Sequence, residues 1–123
     1  MGFLDGITAN PAMAKLQAAV AFTARRHEVI ANNIANITTP GYRAKDLSEK
    51  KFVEALDDAE GRLDEAIKLI DSPDAGPVRD DGNNVNIERE MTKLSGNSLM
   101  HNVLISMLDK QFKMLETALK DKL

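Results

Sequence analysis

The spacing of apolar side chains at the two ends of the chain constrains its fold more than any other feature. Apolar or small residues recur there at alternating intervals of three and four, which keeps side chains on one face of a helix. The first series is Met13, Leu16, Val20, Thr23, His27, Ile30, Ile34 and Ile37. The second is Met91, Leu94, Ser98, His101, Ile105, Leu108, Phe112, Leu115 and Leu119. Both ends are therefore predicted to form long helices.

Local signals mark where these helices begin and end. Asn10 and Pro11 are suited to the cap and first position of the first helix, and the residue before Pro40 is disfavoured in the α region. Pro40-Gly41 fits the central pair of a type II turn. Asn86 is a suitable cap for the second helix, which would be about 50 Å long if it ran from 87 to 121.

The chain divides into three segments, 1–42, 43–82 and 83–123. The first and last are the two helical ends. The middle carries seven basic and twelve acidic residues, a net charge of −5. Its apolar spacing allows an amphipathic helix over about 48–70, weakened at Gly61, and the turn-rich sequence after it indicates a flexible connection.

Composition favours helix and association. Aromatic residues make up only 4% of the chain and Trp is absent, so Ala, Leu, Ile and Met must do most of the packing. A second stripe of apolar side chains makes the last helix apolar on more than one face: Met100, Val103, Met107 and Met114. We predict a mainly α, elongated protein whose two long terminal helices pair as a coiled-coil-like hairpin beside a short acidic middle segment. Apolar surface left over would be buried against other subunits.

Several classes of function are disfavoured by composition. The net charge is −3 and no basic stripe with interleaved aromatic residues is present, so nucleic acid is not an expected partner. With no Cys, the chain has no disulfide, thiolate metal site or cysteine nucleophile. No stretch approaches the roughly 18 apolar residues of a membrane-spanning helix. The first residues lack the pattern of a secretory signal, so we expect any export to use another route.

No constellation of catalytic or metal-binding residues is evident. His27-Glu28 resembles the start of a zinc-binding motif, but the second His of that motif is missing. The stretch DDGNNVNIERE resembles a calcium loop but lacks its ligand spacing, so a solvated turn before a helix is the simpler interpretation. We expect no enzyme, no cofactor and no metal site, with His27 and His101 partly buried and hydrogen-bonded.

Residues 25–47, RRHEVIANNIANITTPGYRAKDL, resemble the amino-terminal signature of bacterial flagellar rod, hook and hook-associated proteins. The carboxyl-terminal stretch from DGNNVNIERE to the end is similar to the last helix of the same family. Among its members, the chain looks most like one of the two sister proximal rod proteins, and the other sister is the alternative.

The resemblance implies a structural subunit of the flagellar basal-body rod, assembled through its terminal helices. It implies export without a cleaved signal through the flagellar type III export apparatus, and neighbours among the other rod subunits, the membrane-ring components and the export-gate components. No catalysis and no cofactor are implied. A soluble helical adaptor or export chaperone, and a small metal-dependent enzyme using both histidines, are the alternatives.

The residues expected to mediate assembly are the apolar seams and the turn that follows the first helix. Asn32, Asn33 and Asn36 are candidate inter-subunit contacts, because amides beside an apolar seam can fix register, and helix capping is the alternative. The seam of the first helix is expected to pack against that of the last. The full set is Leu16, Val20, Ile30, Asn32, Asn33, Ile34, Asn36, Ile37, Pro40, Gly41, Tyr42, Met91, Leu94, Ile105, Leu108, Phe112 and Leu115.

Overall fold

The structure, a computed structural model, describes residues 11–57 and 63–122. Its elements are α1 (Pro11–Ala35), β1 (Lys45–Asp46), α2 (Glu49–Asp57), α3 (Leu63–Ala66), β2 (Ile70–Asp71) and α4 (Ile87–Lys122). Asn10, the predicted cap of the first helix, and Gly61, the predicted weak point of the middle helix, lie outside the described residues.

The two long helices pair as an antiparallel hairpin. Asn33 near the end of α1 bonds to Glu90 in the first turn of α4, and Thr23 in the middle of α1 bonds to Asn97 and His101 further along α4. With 25 residues in α1 and 36 in α4, the far end of α4 extends beyond Pro11 by on the order of 16 Å. The predicted mainly α, hairpin-like architecture is confirmed.

The end of α1 is built by the sequence NITTPGY. The amide of Tyr42 donates to the carbonyl of Thr39 at 3.2 Å, which closes a four-residue turn around Pro40 and Gly41. Gly41 has a φ of 74°, the left-handed conformation that the third position of a type II turn needs. The predicted turn is confirmed, and it directs the chain back along α1.

A second glycine turn packs directly on the first. Gly82 has a φ of 83°, and its amide donates to the carbonyl of Arg79. The amide of Gly41 donates to the carbonyl of Asp81 at 2.8 Å, which joins the two turns. A Cβ added to Gly82 would lie 3.2 Å from the Cα of Gly41, so a larger residue would require the Gly41 backbone to move by a few tenths of an ångström.

The middle of the chain folds back on α1 and contributes an apolar core. β1 and β2 form an antiparallel pair, with Lys45 opposite Asp71 and Asp46 opposite Ile70. Phe52 of α2 stacks on Phe22 of α1, with ring centroids 4.2 Å apart. The buried core cluster around this stack is Phe22, Val29, Leu47, Phe52, Ala55 and Ala66.

The described part of the middle segment departs from the single helix predicted over 48–70. Two helices, Glu49–Asp57 and Leu63–Ala66, lie within that range, and Ile70 belongs to β2. The apolar spacing of Phe52, Ala55 and Ala66 correctly predicts that these side chains are buried. It cannot report the pairing of β2 with β1, which depends on residues about 25 positions earlier in the chain.

We predict that Gly82→Ala lowers the free energy of unfolding by about 1–3 kcal/mol, because alanine is strained at positive φ and its Cβ would press on Gly41. Gly96→Ala is the matched control: Gly96 lies in α4 with open space around it, and alanine there should stabilise the chain by about 1 kcal/mol. Urea unfolding followed by circular dichroism measures both. Equal effects of the two substitutions would contradict the described contact between the turns.

Candidate functional site: a polar clamp and two exposed flanks

The side chain of Asn33 is completely buried and makes four hydrogen bonds within the chain. Its Nδ2 donates to the carbonyl of Lys45 at 2.7 Å and to Oε2 of Glu90 at 3.0 Å. Its Oδ1 accepts from the hydroxyl of Tyr42 at 2.8 Å and from the amide of Lys45 at 3.0 Å. Two donors and two acceptor sites are the full capacity of an asparagine side chain. Asn33 thus joins α1, β1 and α4, and we call these four residues the polar clamp.

A cluster of balanced charges lies beside the polar clamp. Arg26 of α1 donates to both carboxylate oxygens of the buried Asp46, at 3.0 and 3.1 Å, and also pairs with Glu49. Lys93 of α4 lies 3.1 Å from the carboxylate of the buried Glu90 and 3.5 Å from that of Asp46. Removing one partner of such a buried set leaves an uncompensated charge and costs about 3–5 kcal/mol. The cluster therefore fixes the position of α4 relative to α1 and β1.

The pKa values within the cluster follow from the balance of burial and pairing. Burial alone would lower the pKa of Lys93, but its hydrogen bond to Asp74 and the charges of Asp46 and Glu90 outweigh burial and raise it. Burial alone would raise the pKa of Asp74, but hydrogen bonds from Ser72 and Lys93 outweigh it and lower that pKa. Both shifts favour the charged forms, so the ion pairs persist at neutral pH.

The second polar group ties the two glycine turns together through Asn83. This side chain is completely buried, and its Nδ2 donates to the carbonyls of Asn36 and Thr39, both at 2.9 Å. Its Oδ1 accepts from the amide of Val85 at 2.8 Å. The neighbouring Asn84 accepts from the amide of Ala44 at 2.6 Å. Two carbonyls at the end of α1, each of which already accepts a backbone amide, thereby gain a second hydrogen bond from the segment that leads into α4.

Arg79 and Asn97 add two further links between distant parts of the chain. The guanidinium of Arg79 donates to the carbonyls of Val85 and Ile37, at 2.5 and 2.7 Å. Asn97 of α4 donates to the carbonyl of Thr23 on α1 at 2.8 Å. Each link is a side-chain hydrogen bond to a backbone carbonyl of a distant or differently folded segment.

His101 lies on the inner face of α4 and contacts α1. Its Nδ1 is 2.7 Å from Oγ1 of Thr23, whose hydroxyl donates to the carbonyl of Val20. With that hydroxyl hydrogen directed to Val20, the Nδ1–H tautomer of His101 would complete the contact by donating to Thr23. His101 is half-buried and His27 is exposed. Within the described residues, no three His, Cys, Asp or Glu side chains are grouped closely enough to hold a metal ion.

Two rows of large apolar side chains remain exposed on α4. At 100° per residue they lie on either side of the face that packs against α1. We call the first the phenylalanine flank, formed by Met91, Ile105, Phe112 and Leu119. The second is the methionine flank, formed by Met100, Val103, Met107 and Met114. Apart from Leu119 at 36%, each of these side chains exposes more than 40% of its surface, which is unusual for so many residues on one helix.

An open apolar groove of about 490 Å³ continues the methionine flank toward the middle segment. Phe22 of α1, Phe52 and Val53 of α2, and Met100 and Leu104 of α4 line it. Val53 is 58% exposed at its rim. The groove and the methionine flank therefore form one continuous apolar surface.

The structure separates the predicted assembly residues into three groups. Ile30 and Asn33 are buried inside the chain. Half-buried residues are Leu16, Val20, Ile34, Asn36, Ile37, Tyr42, Leu94, Leu108 and Leu115. Exposed residues are Asn32, Pro40, Gly41, Met91, Ile105 and Phe112.

Three of these residues are placed differently from the sequence-based expectation. Ile105 and Phe112 were expected to pack on α1, but they are exposed, whereas Leu104 and Leu108 on the same helix are half-buried. Asn33 was expected at an inter-subunit contact, but its four hydrogen bonds are all made within the chain. Asn32 and Asn36 are bonded to each other and to Tyr42 and Thr39, with part of their surface open.

The residues that sequence reasoning missed are the charged and polar partners of the clamp. Arg26, Asp46, Glu90 and Lys93 were not among the predicted site residues, although the side chains of Asp46 and Glu90 expose only 4% and 2% of their surface. The sequence feature that could have identified them is a charged residue at a position where the helical spacing predicts an apolar one. Its partners lie 20 to 57 residues away, which no local pattern identifies.

Comparison with known proteins agrees with these features. A family model described as Flagella basal body rod protein matches residues 8–43, which include α1 and the first glycine turn. The flagellar basal body rod protein FlgB of Bacillus subtilis is 36% identical over 110 residues, covering 76% of this chain and 81% of that protein. The FlgB protein of Escherichia coli is 33% identical over 120 residues, covering 79% and 84%.

This chain belongs to the FlgB family of flagellar basal body rod proteins. FlgB of Salmonella typhimurium is a further relative, 29% identical over 121 residues. The chain is accordingly a structural subunit of the basal-body rod, as the sequence predicts. No helix among residues 11–57 and 63–122 is long and apolar enough to cross a membrane.

We predict that Asn33→Ala lowers the free energy of unfolding by about 2–4 kcal/mol, because it strands the buried Glu90 carboxylate and the backbone of Lys45. Asn32→Ala is the matched control, since that amide is exposed, and should change it by less than about 0.5 kcal/mol. Urea unfolding of both variants gives the comparison. A small effect at Asn33 would show that the clamp does not hold the fold.

We predict that Asp74→Asn makes stability less sensitive to acid. The lowered pKa of Asp74 means that its ion pair contributes fully above the ordinary value of 3.8 and is lost as the pH falls through the lower folded-state pKa. Because the side chain is 49% exposed, the contribution is below about 1 kcal/mol. Unfolding measured from about pH 6 to pH 3 should decline less steeply in Asp74→Asn. Parallel curves would contradict the pairing with Lys93.

Proposed function

We propose that this chain enters the rod as a hairpin whose polar contacts are already complete, and that its exposed apolar flanks bind the neighbouring subunits. One contrast supports this division. The side chains of the polar clamp are satisfied within a single chain, whereas the phenylalanine and methionine flanks expose their apolar side chains to water. Burial of such flanks contributes about 25 cal/mol for each Å² removed from water.

The composition of α4 supports burial on several sides in the assembly. From Leu94 to Leu108 the helix contains no Asp, Glu, Lys or Arg, a run of about four turns. A helix without charge on any face is typical of a helix that is surrounded by protein. In the single chain α1 covers only one side of this run, so the remaining sides are available to neighbours.

The proposed role is purely structural. The site consists of packing surfaces and saturated hydrogen bonds, and the expected partners are other flagellar rod subunits. Membrane-ring and export-gate components at the base of the rod are further proposed neighbours, and the flagellar type III export apparatus is the proposed route. No enzymatic step and no cofactor are part of this proposal.

We predict that Phe112→Asp abolishes incorporation into basal bodies and motility while lowering the free energy of unfolding of the isolated chain by only about 1–2 kcal/mol. The reason is that Phe112 is 44% exposed in the chain but would be buried between subunits. Incorporation is measured by immunoblotting purified basal bodies, and stability by urea unfolding.

Thr92→Asp is the matched control for that experiment. It places the same charge on an exposed position of the same helix, among residues that are already charged. It should leave incorporation unchanged. If wild-type protein were absent from basal bodies and remained in the cytoplasm, a helical adaptor or export chaperone would be the better account.

A further inference from the structure

The methionine flank of α4 has a spacing that a second helix can match. Its members Met100, Val103, Met107 and Met114, together with Lys110, follow intervals of three and four, and all five are exposed. Lys110 is the single charge in the row. Methionine side chains are flexible and polarizable, so such a row adapts readily to small side chains on a facing helix.

The outer face of α1 carries a row of opposite character. It lies away from both α4 and α2, and its side chains are small apart from one acid. We call it the alanine face, formed by Ala21, Ala24, Glu28, Ala31 and Ala35. All five are exposed, and they also follow intervals of three and four. Small side chains let another helix approach closely, and Glu28 is the single charge in this row.

One alignment brings the two rows into full register. If the helices run antiparallel with Glu28 opposite Lys110, every bulky apolar side chain of the methionine flank within the overlap meets an alanine. The pairs are Met114 with Ala24, Met107 with Ala31, and Val103 with Ala35. A parallel alignment that keeps the ion pair fails, because it sets Ala31 against Lys113 and Ala24 against Ser106. Size and charge therefore select one direction and one register.

We propose that the methionine flank of one copy packs on the alanine face of a second copy in this register. The inference rests on the proposed function and specifies the surfaces that it uses. The occupant is a second copy because the matching row of small residues, with the opposite lone charge, is present on this same chain. Alternation of large and small side chains across facing helices is the usual requirement for close packing.

The register fixes how the two copies are related. Within one chain Asn33 lies beside Glu90 and Thr23 beside Asn97, so Glu28 is level with a point on α4 about 16 residues before Lys110. Glu28 and Lys110 of one chain are thus about 24 Å apart along the helix axis. The second copy has the same orientation and is displaced by that distance. In such a head-to-tail contact, one copy keeps its alanine face free and the other keeps its methionine flank free, so further copies can bind at either end.

Cysteine cross-linking tests this register directly, because the natural chain contains no Cys. The variant carrying Ala31→Cys and Met107→Cys should form a ladder of disulfide-linked multimers under mild oxidation, both in intact basal bodies and in concentrated purified protein. An intramolecular bond is excluded, since the two positions lie about 24 Å apart in one chain and a disulfide requires Cα atoms within about 7 Å.

The matched control carries Ala31→Cys and Met100→Cys. Like the test variant, it carries one Ala→Cys and one Met→Cys substitution. Its second cysteine lies seven residues away, about 10 Å out of register, so this variant should give no ladder. Equal ladders from the two variants, or none from the first, would overturn the proposed register. Cross-linking of Met107→Cys to a different basal-body protein would overturn the choice of a second copy.

Charge exchange gives a second measurement that does not depend on cysteine. Glu28→Lys and Lys110→Glu should each reduce association of the purified chain in sedimentation, and the two together should restore it. If the double variant does not regain association but is present in basal bodies at the wild-type level, this interface is overturned and the proposed function stands. Absence of wild-type protein from basal bodies would instead reject the proposed function.

Discussion

The buried amide of Asn33 is the contact on which the rest of the structure depends. It is the only side chain of the polar clamp that bonds to β1, to Tyr42 and to α4 at once. The position of Tyr42 follows from the turn at Gly41, and the position of Glu90 follows from the start of α4. An amide with all four hydrogen-bonding positions used tolerates only one geometry, so this residue sets the register of the hairpin.

The charge cluster and the two glycine turns act in support of that register. Arg26 and Lys93 neutralise Asp46 and Glu90, so the carboxylate that accepts from Asn33 can be buried without a net charge. The close approach of Gly41 and Gly82 brings the segment before α4 against the end of α1. We infer that this buried polar network mainly selects a unique arrangement, because such a network adds little net stability over an apolar core even though breaking it is costly. For a subunit that must repeat identically along a rod, a unique arrangement is the more important property.

Alongside its apolar core, the chain buries several polar groups and exposes many large apolar ones. Inside the hairpin lie charged and amide side chains, while α4 presents methionine, isoleucine and phenylalanine to the outside. The apolar surface is therefore reserved for contacts that form after the chain has folded. Low aromatic content fits this arrangement, because the hairpin itself needs only a small core around Phe22 and Phe52.

Periodic and local features of the fold could be predicted from the sequence. The two long helices, the type II turn at Pro40-Gly41 and the excess of apolar surface all follow from spacing and from the conformational limits of Pro and Gly. The pairing of β1 with β2, the stack of Phe22 on Phe52 and the partners of Asn33 could not be predicted, since each joins residues far apart in sequence. The asparagines of ANNIAN were recognised as significant, but a local pattern cannot distinguish an amide that bonds within its own chain from one that bonds to a neighbour.

A cryo-electron microscopy map of an intact basal body, at a resolution that shows side chains, tests the central claim most directly. The account predicts that Asn33 contacts Glu90 of its own chain in the assembled rod, and that both flanks of α4 are covered by other subunits. A rod in which Asn33 bonds to a neighbouring subunit, or in which the flanks of α4 face water, would contradict it.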